Sequence, residues 1–182
     1  MSGEPGLADK VRLVHEALED ARVPHAFGGA LALAYYGEPR LTIDIDVNVF
    51  VGPARLAVVL ASLAPLGVDV SAVEDGAPDG QLRVWWGHNP IDLFFSYDPF
   101  HDAMKRATRS EPFGEIRIPI LAPEHLIVCK AAFDRPKDWI DIEQMLVGVQ
   151  ALDREELETW LGRVLGEDSR VERVRELWGS TR

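Results

Sequence analysis

Two hydrophobic periods alternate along this chain, one typical of helices and the other of strands. Spacings of three and four residues predict a helix over residues 7–21, and an apolar run beginning at a proline predicts another over 53–64. Further helices are predicted over residues 98–109, 123–133, 137–149, 153–165 and 168–178. Runs rich in β-branched and aromatic residues predict strands over residues 23–27, 44–51, 67–73, 81–86, 91–97 and 114–121. The alternation of the two element types indicates an α/β fold.

The C-terminal part of the pattern differs, because its last two predicted helices each carry one charged and one apolar face. Such helices either cover the edge of a sheet or bind a partner, and both alternatives stay open. We predict a main domain over residues 1–146 and a helical appendage over 147–182 that packs on it. The Gly-, Pro- and Asp-rich residues 74–80 predict a loop.

Candidate chemistry is concentrated in the stretch 27–51, "FGGALALAYYGEPRLTIDIDVNVFV". Asp44 and Asp46 lie in a β-branched run, where residues two apart point to the same face of a strand. Two such carboxylates repel each other and lose hydration, and a bound divalent cation would remove that cost. Oxygen ligands of this kind suit Mg²⁺. The alternative is an edge strand or turn with two solvated aspartates.

Gly28 and Gly29 stand between the strand 23–27 and a short helix predicted over 30–36. Adjacent glycines permit positive φ and close backbone approach, and a helix N-terminus can bind an anion. A tight turn without a ligand would need the same residues. Arg40 and Thr42 precede the aspartates and are candidate nucleotide-binding residues, although Arg40 suits a structural ion pair equally well. His25 is expected to be a strand-surface or core histidine without a metal role.

The order of Gly-Gly, short helix and Thr-Ile-Asp-Ile-Asp resembles the core of the nucleotidyltransferase superfamily related to DNA polymerase β. The sequence of this stretch is similar to that of the AbiEii/MenT-type nucleotidyltransferase toxins. The resemblance covers residues 20–146 and implies a polymerase-β-like mixed sheet with flanking helices and a helical C-terminal section. It also implies that Asp44 and Asp46 bind Mg²⁺ and that the Gly28–Gly29 turn faces the phosphates of an NTP. Asp92, which interrupts an apolar strand, matches the third carboxylate, a metal ligand and general base; its alternative is a hydrogen-bonded strand aspartate.

A second matching segment begins at Lys130 on the predicted helix 123–133. The resemblance implies that Lys130 contacts NTP phosphates and that Asp138 or Asp141 orients a basic residue as part of the active site. Arg135 and Lys137 match the basic positions of the same pattern and are candidate nucleotide-binding residues. The alternative for this segment is an ordinary helix start, in which the helix dipole favours an aspartate in the first turn.

The charge of the chain bears on the acceptor, because 30 acidic residues against 19 basic ones give a net charge of −11. Proteins that hold nucleic acid alone usually carry a basic face, so this charge favours a small or transient nucleic-acid contact, a small-molecule acceptor or a basic partner protein. One cysteine in 182 residues excludes an internal disulfide. The absence of a signal-peptide pattern and of a long apolar run predicts a cytoplasmic protein without a membrane contact.

These observations predict an enzyme that moves an NMP from an NTP to an acceptor hydroxyl and releases pyrophosphate. By resemblance to the toxin branch, the acceptor is a tRNA 3′ end and the partner is a cognate antitoxin protein. The alternatives are a nucleotidyltransferase that modifies a small molecule, such as an aminoglycoside, or a protein. A non-catalytic nucleotide-binding module is the remaining alternative.

Overall fold

A computed structural model describes residues 4–71, 77 and 80–180 of the chain. The helices are α1 (Leu7–Asp20), α2 (Gly29–Leu33), α3 (Leu56–Leu63), α4 (Pro99–Ala107), α5 (Pro123–Phe133), α6 (Pro136–Gly148), α7 (Arg154–Leu165) and α8 (Ser169–Ser180), with short 3₁₀ turns at Pro53–Arg55 and Ala64–Leu66. The strands are β1 (His25–Phe27), β2 (Ile45–Val49), β3 (Gln81–Trp86), β4 (Asn89–Phe95), β5 (Arg109–Phe113) and β6 (Ile116–Ile120).

The six strands form one mixed sheet in the order β3-β4-β2-β1-β6-β5. β2 pairs with β4 in parallel and β1 pairs with β6 in parallel, whereas the other three pairings are antiparallel. The central strands are buried, as expected for a sheet covered by helices. The predicted α/β fold with a mixed sheet and flanking helices is confirmed.

The parallel pairing of β2 with β4 positions the candidate site. Its register sets Asp46 directly opposite Asp92, and the adjacent antiparallel register sets Asp92 opposite Arg83. Paired residues in a ladder point to the same face of the sheet, so these three side chains form a row across three strands. The apolar neighbours Ile45 and Val47 are buried, which fixes this register.

Two local differences from the predicted elements have physical causes. Strand β5 was not predicted, because Pro112 and the polar residues around it interrupt the apolar alternation on what is an edge strand. For the predicted strand 67–73, the described residues up to 71 contain only an isolated bridge between Asp69 and Trp85. Residues 72–76 and most of the predicted loop 74–80 lie outside the described residues.

The C-terminal helices pack on the rest of the chain through their predicted apolar faces. Leu157, Trp160 and Leu161 of α7 are buried, as are Val171 and Val174 of α8. α7 contacts α5, and α8 contacts both α5 and α6. α6 runs to Gly148, through the predicted boundary after residue 146, and the division into two parts stays a prediction. No helix in the described part of the chain is both long and apolar enough to cross a membrane.

Candidate active site

A cavity of about 320 Å³ lies where β1, β2 and β4 meet α5. Its lining includes every predicted site residue except Asp138 and Asp141, namely Gly28, Gly29, Arg40, Thr42, Asp44, Asp46, Asp92, Lys130, Arg135 and Lys137. The structure therefore brings together residues that are up to 109 positions apart (from 28 to 137) in the sequence. The volume is within the range of small-molecule and cofactor sites.

The glycine turn makes room for Asp46. Gly28 donates its backbone N–H to the carbonyl of Asp46 at 2.9 Å, and Gly29 adopts φ of +54°. A Cβ atom added at Gly29 would lie 1.7 Å from Asp46 Oδ2, so any side chain there would displace the Asp46 carboxylate. The helix that follows this turn, α2, is only five residues long. The Asp46 carboxylate lies directly against the turn. Gly28 and Gly29 also line the cavity.

The carboxylates have the electrostatic character of a cation site. Desolvation, together with the negative charges of Asp92 and Asp44, raises the pKa of Asp46 to about 6. Lys130 and Arg135 oppose this effect only in part. Asp44 is held by a turn in which its N–H donates to Thr42 Oγ1 at 3.1 Å. The raised pKa of Asp46 beside two further carboxylates fits a hard divalent cation such as Mg²⁺.

Arg83 holds the third carboxylate in this structure. Its Nε donates to Asp92 Oδ1 and its Nη2 donates to Asp92 Oδ2, each at 2.7 Å. Asp92 is therefore a hydrogen-bonded strand aspartate, as one alternative expected, and it also lines the cavity. Its role as metal ligand and general base stays a prediction. Among the described residues, a group of ligand atoms that all lie within 4.8 Å of one another occurs elsewhere, at His15, Glu19 and His25, and not at the three aspartates.

Arg83 was missed from the sequence although a signal for it exists. The hairpin of β3 and β4 turns at 87–88, so counting outward from the turn pairs residue 83 with residue 92. Half of the Arg83 side chain is exposed, whereas Asp92 is almost fully buried. The exposed guanidinium can therefore move into solvent while the carboxylate stays in place.

Beneath the cavity, two buried aspartates hold its basic side chains. Lys130 Nζ donates to Asp141 Oδ2 at 2.6 Å and lies 3.8 Å from Asp138 Oδ1. Arg40 Nη2 also donates to Asp141, at 3.2 Å. Arg135 forms a fork on Asp138 through Nε at 2.6 Å and Nη2 at 3.1 Å. Asp138 and Asp141 both orient basic residues of the cavity, and Asp138 also caps the start of α6 as the alternative expected.

An aromatic and apolar wall that the sequence did not reveal completes the cavity. It consists of Phe94, Tyr97, Phe100, Met104 and Val164. His101, also in this wall, lies with its ring centroid 4.7 Å from that of Tyr97 and contacts Asp98 through Nδ1 at 2.8 Å. Val164 belongs to α7, so the C-terminal helices contribute to the cavity surface. Since these residues come from a strand end and two helices, no spacing in the sequence groups them.

No protein-family model matches the sequence, and no curated protein matches it. Solved structures do match, among them ANT(2'')-Ia in complex with adenylyl-2''-tobramycin, at 17% identity over 95% of this chain and 97% of that chain, with a TM-score of 0.56. A candidate nucleotidyltransferase from H. pylori matches at 18% identity over 100% of this chain and 94% of that chain, also with a TM-score of 0.56.

An antigenic nucleotidyltransferase-like protein from Paracoccidioides brasiliensis matches at 16% identity over 94% of this chain and 92% of that chain, with a TM-score of 0.55. The chain has the nucleotidyltransferase fold. The match spans almost the whole of each protein, so it includes the C-terminal helices of this chain. At these identities the similarity concerns the fold, and the chemistry has to be argued from the side chains of the site.

Proposed function

We propose that this protein is a Mg²⁺-dependent nucleotidyltransferase that moves an NMP from an NTP to an acceptor hydroxyl and releases pyrophosphate. The observation that carries the proposal is the register of β2 and β4. It places Asp46 and Asp92 side by side, next to Asp44, in one cavity with Lys130. Paired carboxylates on this fold, facing basic side chains, are the arrangement that phosphoryl chemistry needs.

Asp44, Asp46 and Asp92 would hold the cation, and their repulsion in this structure is the reason that they fit it. When bound, the cation neutralises charge on the triphosphate and orients the α-phosphorus for in-line displacement. Asp92 accepts the proton of the acceptor hydroxyl, for which a carboxylate at the cavity surface is suited. Arg83 has to release at least one oxygen of Asp92 before that carboxylate can act.

The basic side chains of the cavity bind the triphosphate. Lys130, Arg135 and Lys137 line one side, and Arg40 lies close to them through the shared Asp141. Fixed cations of this kind stabilise the charge that builds up on the leaving pyrophosphate. Asp138 and Asp141 are positioning residues, since they lie below the surface and act through Arg135, Lys130 and Arg40.

The first candidate acceptor is the 3′ end of tRNA, which the resemblance to the toxin branch implies. In this form the protein is the toxin of a toxin–antitoxin pair, and a basic antitoxin would complement the net charge of −11. The second candidate is a small cationic molecule. It is supported by the same net charge, by the about 320 Å³ cavity with an aromatic wall, and by the fold shared with ANT(2'')-Ia.

Transfer of label from each α-labelled NTP, with Mg²⁺, tests the proposal. The acceptors are total tRNA and a panel of aminoglycosides, and the proteins are wild type, Asp44→Ala, Asp46→Ala and the control Asp9→Ala. Asp9 is an exposed aspartate on α1, outside the cavity. We expect label on one acceptor with wild type and Asp9→Ala, and none with the other two variants.

The acceptor that takes up label decides between the two candidates. Label on tRNA supports the toxin-like enzyme, and label on an aminoglycoside supports the small-molecule enzyme. Label on the protein itself would identify a protein acceptor. Binding of Mg²⁺-NTP with no transfer to any acceptor would contradict the enzyme and leave a nucleotide-binding module.

A further inference from the structure

Three metal-ligating side chains meet outside the cavity, between α1 and β1. They are His15 and Glu19 of α1 and His25 at the start of β1, and none of them lines the candidate active site. One ligand atom of each lies within 4.8 Å of the other two. His15 Nδ1 and His25 Nε2 are 2.9 Å apart.

Local structure explains why these residues meet. His15 and Glu19 are four residues apart on α1, so they lie one turn above the other on the same face. After α1, the N–H of Val23 donates to the carbonyl of Leu18 at 2.8 Å, which turns the chain back toward the helix. This turn carries His25 against the last turns of α1 as β1 begins.

The second ring nitrogen of His25 fixes which atom is free to bind. Nδ1 lies 2.9 Å from the carbonyl oxygen of Val23, which can only accept a hydrogen bond. Nδ1 therefore carries the hydrogen, and the lone pair of Nε2 faces His15. A ring N–H held by a backbone carbonyl is the outer-sphere arrangement that orients metal-binding histidines. His25 is buried, which keeps its ring in this orientation.

We propose that His15, Glu19 and His25 form a binding site for a divalent transition-metal ion of the zinc class. Two imidazole nitrogens and one carboxylate suit zinc, whereas Mg²⁺ prefers an all-oxygen set. The site departs from the expectation that His25 has no metal role, and it is independent of the proposed transferase activity. An ion there joins the end of α1 to the strand that leads into the Gly28–Gly29 turn.

The geometry needs only a small adjustment to receive the ion. Zinc–nitrogen bonds of 2.0–2.1 Å at tetrahedral angles separate two ligand nitrogens by about 3.4 Å. The nitrogens of His15 and His25 are 2.9 Å apart, so they have to separate by roughly half an ångström. His15 is half-buried and Glu19 is exposed, so both side chains can rotate by this amount. Water fills the fourth position, as is usual for zinc with three protein ligands.

Titration with Zn²⁺ and with Co²⁺, whose visible absorption reports four-coordinate nitrogen and oxygen ligation, tests the site. The variants are His15→Ala and Glu19→Gln, and the control is His88→Ala, an exposed histidine outside the cluster. Each substitution is made in wild type and in an Asp44→Asn/Asp46→Asn background. The second background lacks two carboxylates of the cavity, so it separates metal binding at the cluster from metal binding in the cavity. We expect one equivalent of metal to bind at the cluster in both backgrounds and in His88→Ala.

The two cluster variants should weaken binding by at least about tenfold and lose the Co²⁺ absorption. Glu19→Gln changes an exposed side chain, so its folded state can be verified by circular dichroism before the titration. Zn²⁺ should also raise the unfolding temperature of every protein that keeps the three cluster residues, in both backgrounds, and not that of the two cluster variants. Absence of stoichiometric binding, or binding lost with the cavity aspartates and kept in both cluster variants, would overturn the proposal. The His15–His25 contact would then be a hydrogen bond alone.

Discussion

Arg83 on β3 covers both carboxylate oxygens of Asp92 on β4, with two hydrogen bonds of 2.7 Å each. Asp92 stands directly opposite Asp46 in the parallel ladder, so the same oxygens face the proposed cation site. The guanidinium and a divalent cation therefore compete for one carboxylate. Because a bidentate Arg–carboxylate pair is strong and the Arg83 side chain is half exposed, the pair can act as a barrier that the cation and the triphosphate displace.

The first prediction follows from this competition. Arg83→Gln removes the charge that holds Asp92, so we expect the Mg²⁺ concentration for half-maximal binding of Mg²⁺-NTP to fall severalfold. Calorimetric titration of NTP at a series of Mg²⁺ concentrations measures it. The control Arg55→Gln changes an exposed arginine of another element and should alter nothing. An unchanged Mg²⁺ dependence with weaker NTP binding would instead assign Arg83 to the nucleotide.

The second prediction concerns Gly29, which has φ of +54° and an Asp46 oxygen where a Cβ would stand. Gly29→Ala should abolish Mg²⁺-NTP binding and transfer, because the new methyl group has to displace the Asp46 carboxylate. Gly114→Ala is a matched control, since Gly114 has φ of +60° and nothing within 4 Å of an added Cβ. Both variants should lose about 1–2 kcal/mol of stability from the left-handed backbone.

Unfolding in urea measures that loss, and it should be larger for Gly29→Ala because of the steric conflict. Activity should be near wild type in Gly114→Ala. Equal activity in the two alanine variants would show that Asp46 does not depend on close approach to the glycine turn.

Much of this fold could be predicted from the sequence, because the elements that carry it are locally consistent. The helix Pro123–Phe133 and the strand Gln81–Trp86 have the predicted bounds, since a proline, a hairpin turn or an apolar run marks their ends. Strand β5 has no such pattern. It exists because β6 offers it a hydrogen-bonding edge, which is a tertiary effect that overrides weak local preference.

The candidate site likewise has a part that local sequence rules predict and a part that depends on tertiary packing. Spacing alone predicts that Asp44 and Asp46 point the same way, because strand geometry relates residues two apart. Asp44 in fact precedes β2, which begins at Ile45, and both aspartates line the cavity. The contact of Arg40 with Asp141 joins residues 101 positions apart, and no local rule relates them. Resemblance singled out the residues around Lys130, but the ion pairs that they form depend on how α5 and α6 pack. The aromatic wall around Tyr97 is likewise a product of packing alone.

The third prediction tests Asp141 as a positioning residue. Asp141→Asn leaves Lys130 buried with Asp138, at 3.8 Å, as its ion-pair partner and removes the charged partner of Arg40. Loss of one partner of a buried ion pair should cost about 3 kcal/mol in unfolding free energy. We also expect a higher KM for NTP with a smaller change in kcat, since the effect reaches the substrate through Lys130.

Urea unfolding and steady-state kinetics measure these two effects. Asp141→Glu keeps the charge and should restore most of the KM. Glu143→Gln, at an exposed position on the same helix, is the control for charge loss on α6. A stability loss in Asp141→Asn with KM unchanged would make Asp141 a structural residue only.

The fourth prediction uses the raised pKa of Asp46, about 6 against an ordinary value of 3.8. The folded state binds the Asp46 proton more tightly than the unfolded chain, so stability falls as pH rises through this window. Asp46→Asn removes that charge. Near pH 8 and without divalent cations, the variant should therefore be more stable than wild type. The raised pKa sets an upper limit of about 3 kcal/mol on this difference. The measured difference should be smaller, because water still reaches this half-buried carboxylate.

Urea unfolding at pH values between about 4 and 8 measures the difference, which should shrink toward zero at the acidic end. Mg²⁺ should stabilise wild type near pH 8 and leave Asp46→Asn unchanged, since the cation relieves a repulsion that the variant lacks. Asp9→Asn, at an exposed position, should match wild type throughout. If Asp46→Asn were no more stable than wild type near pH 8, the carboxylates of the cavity would not carry the repulsion from which the cation site is inferred.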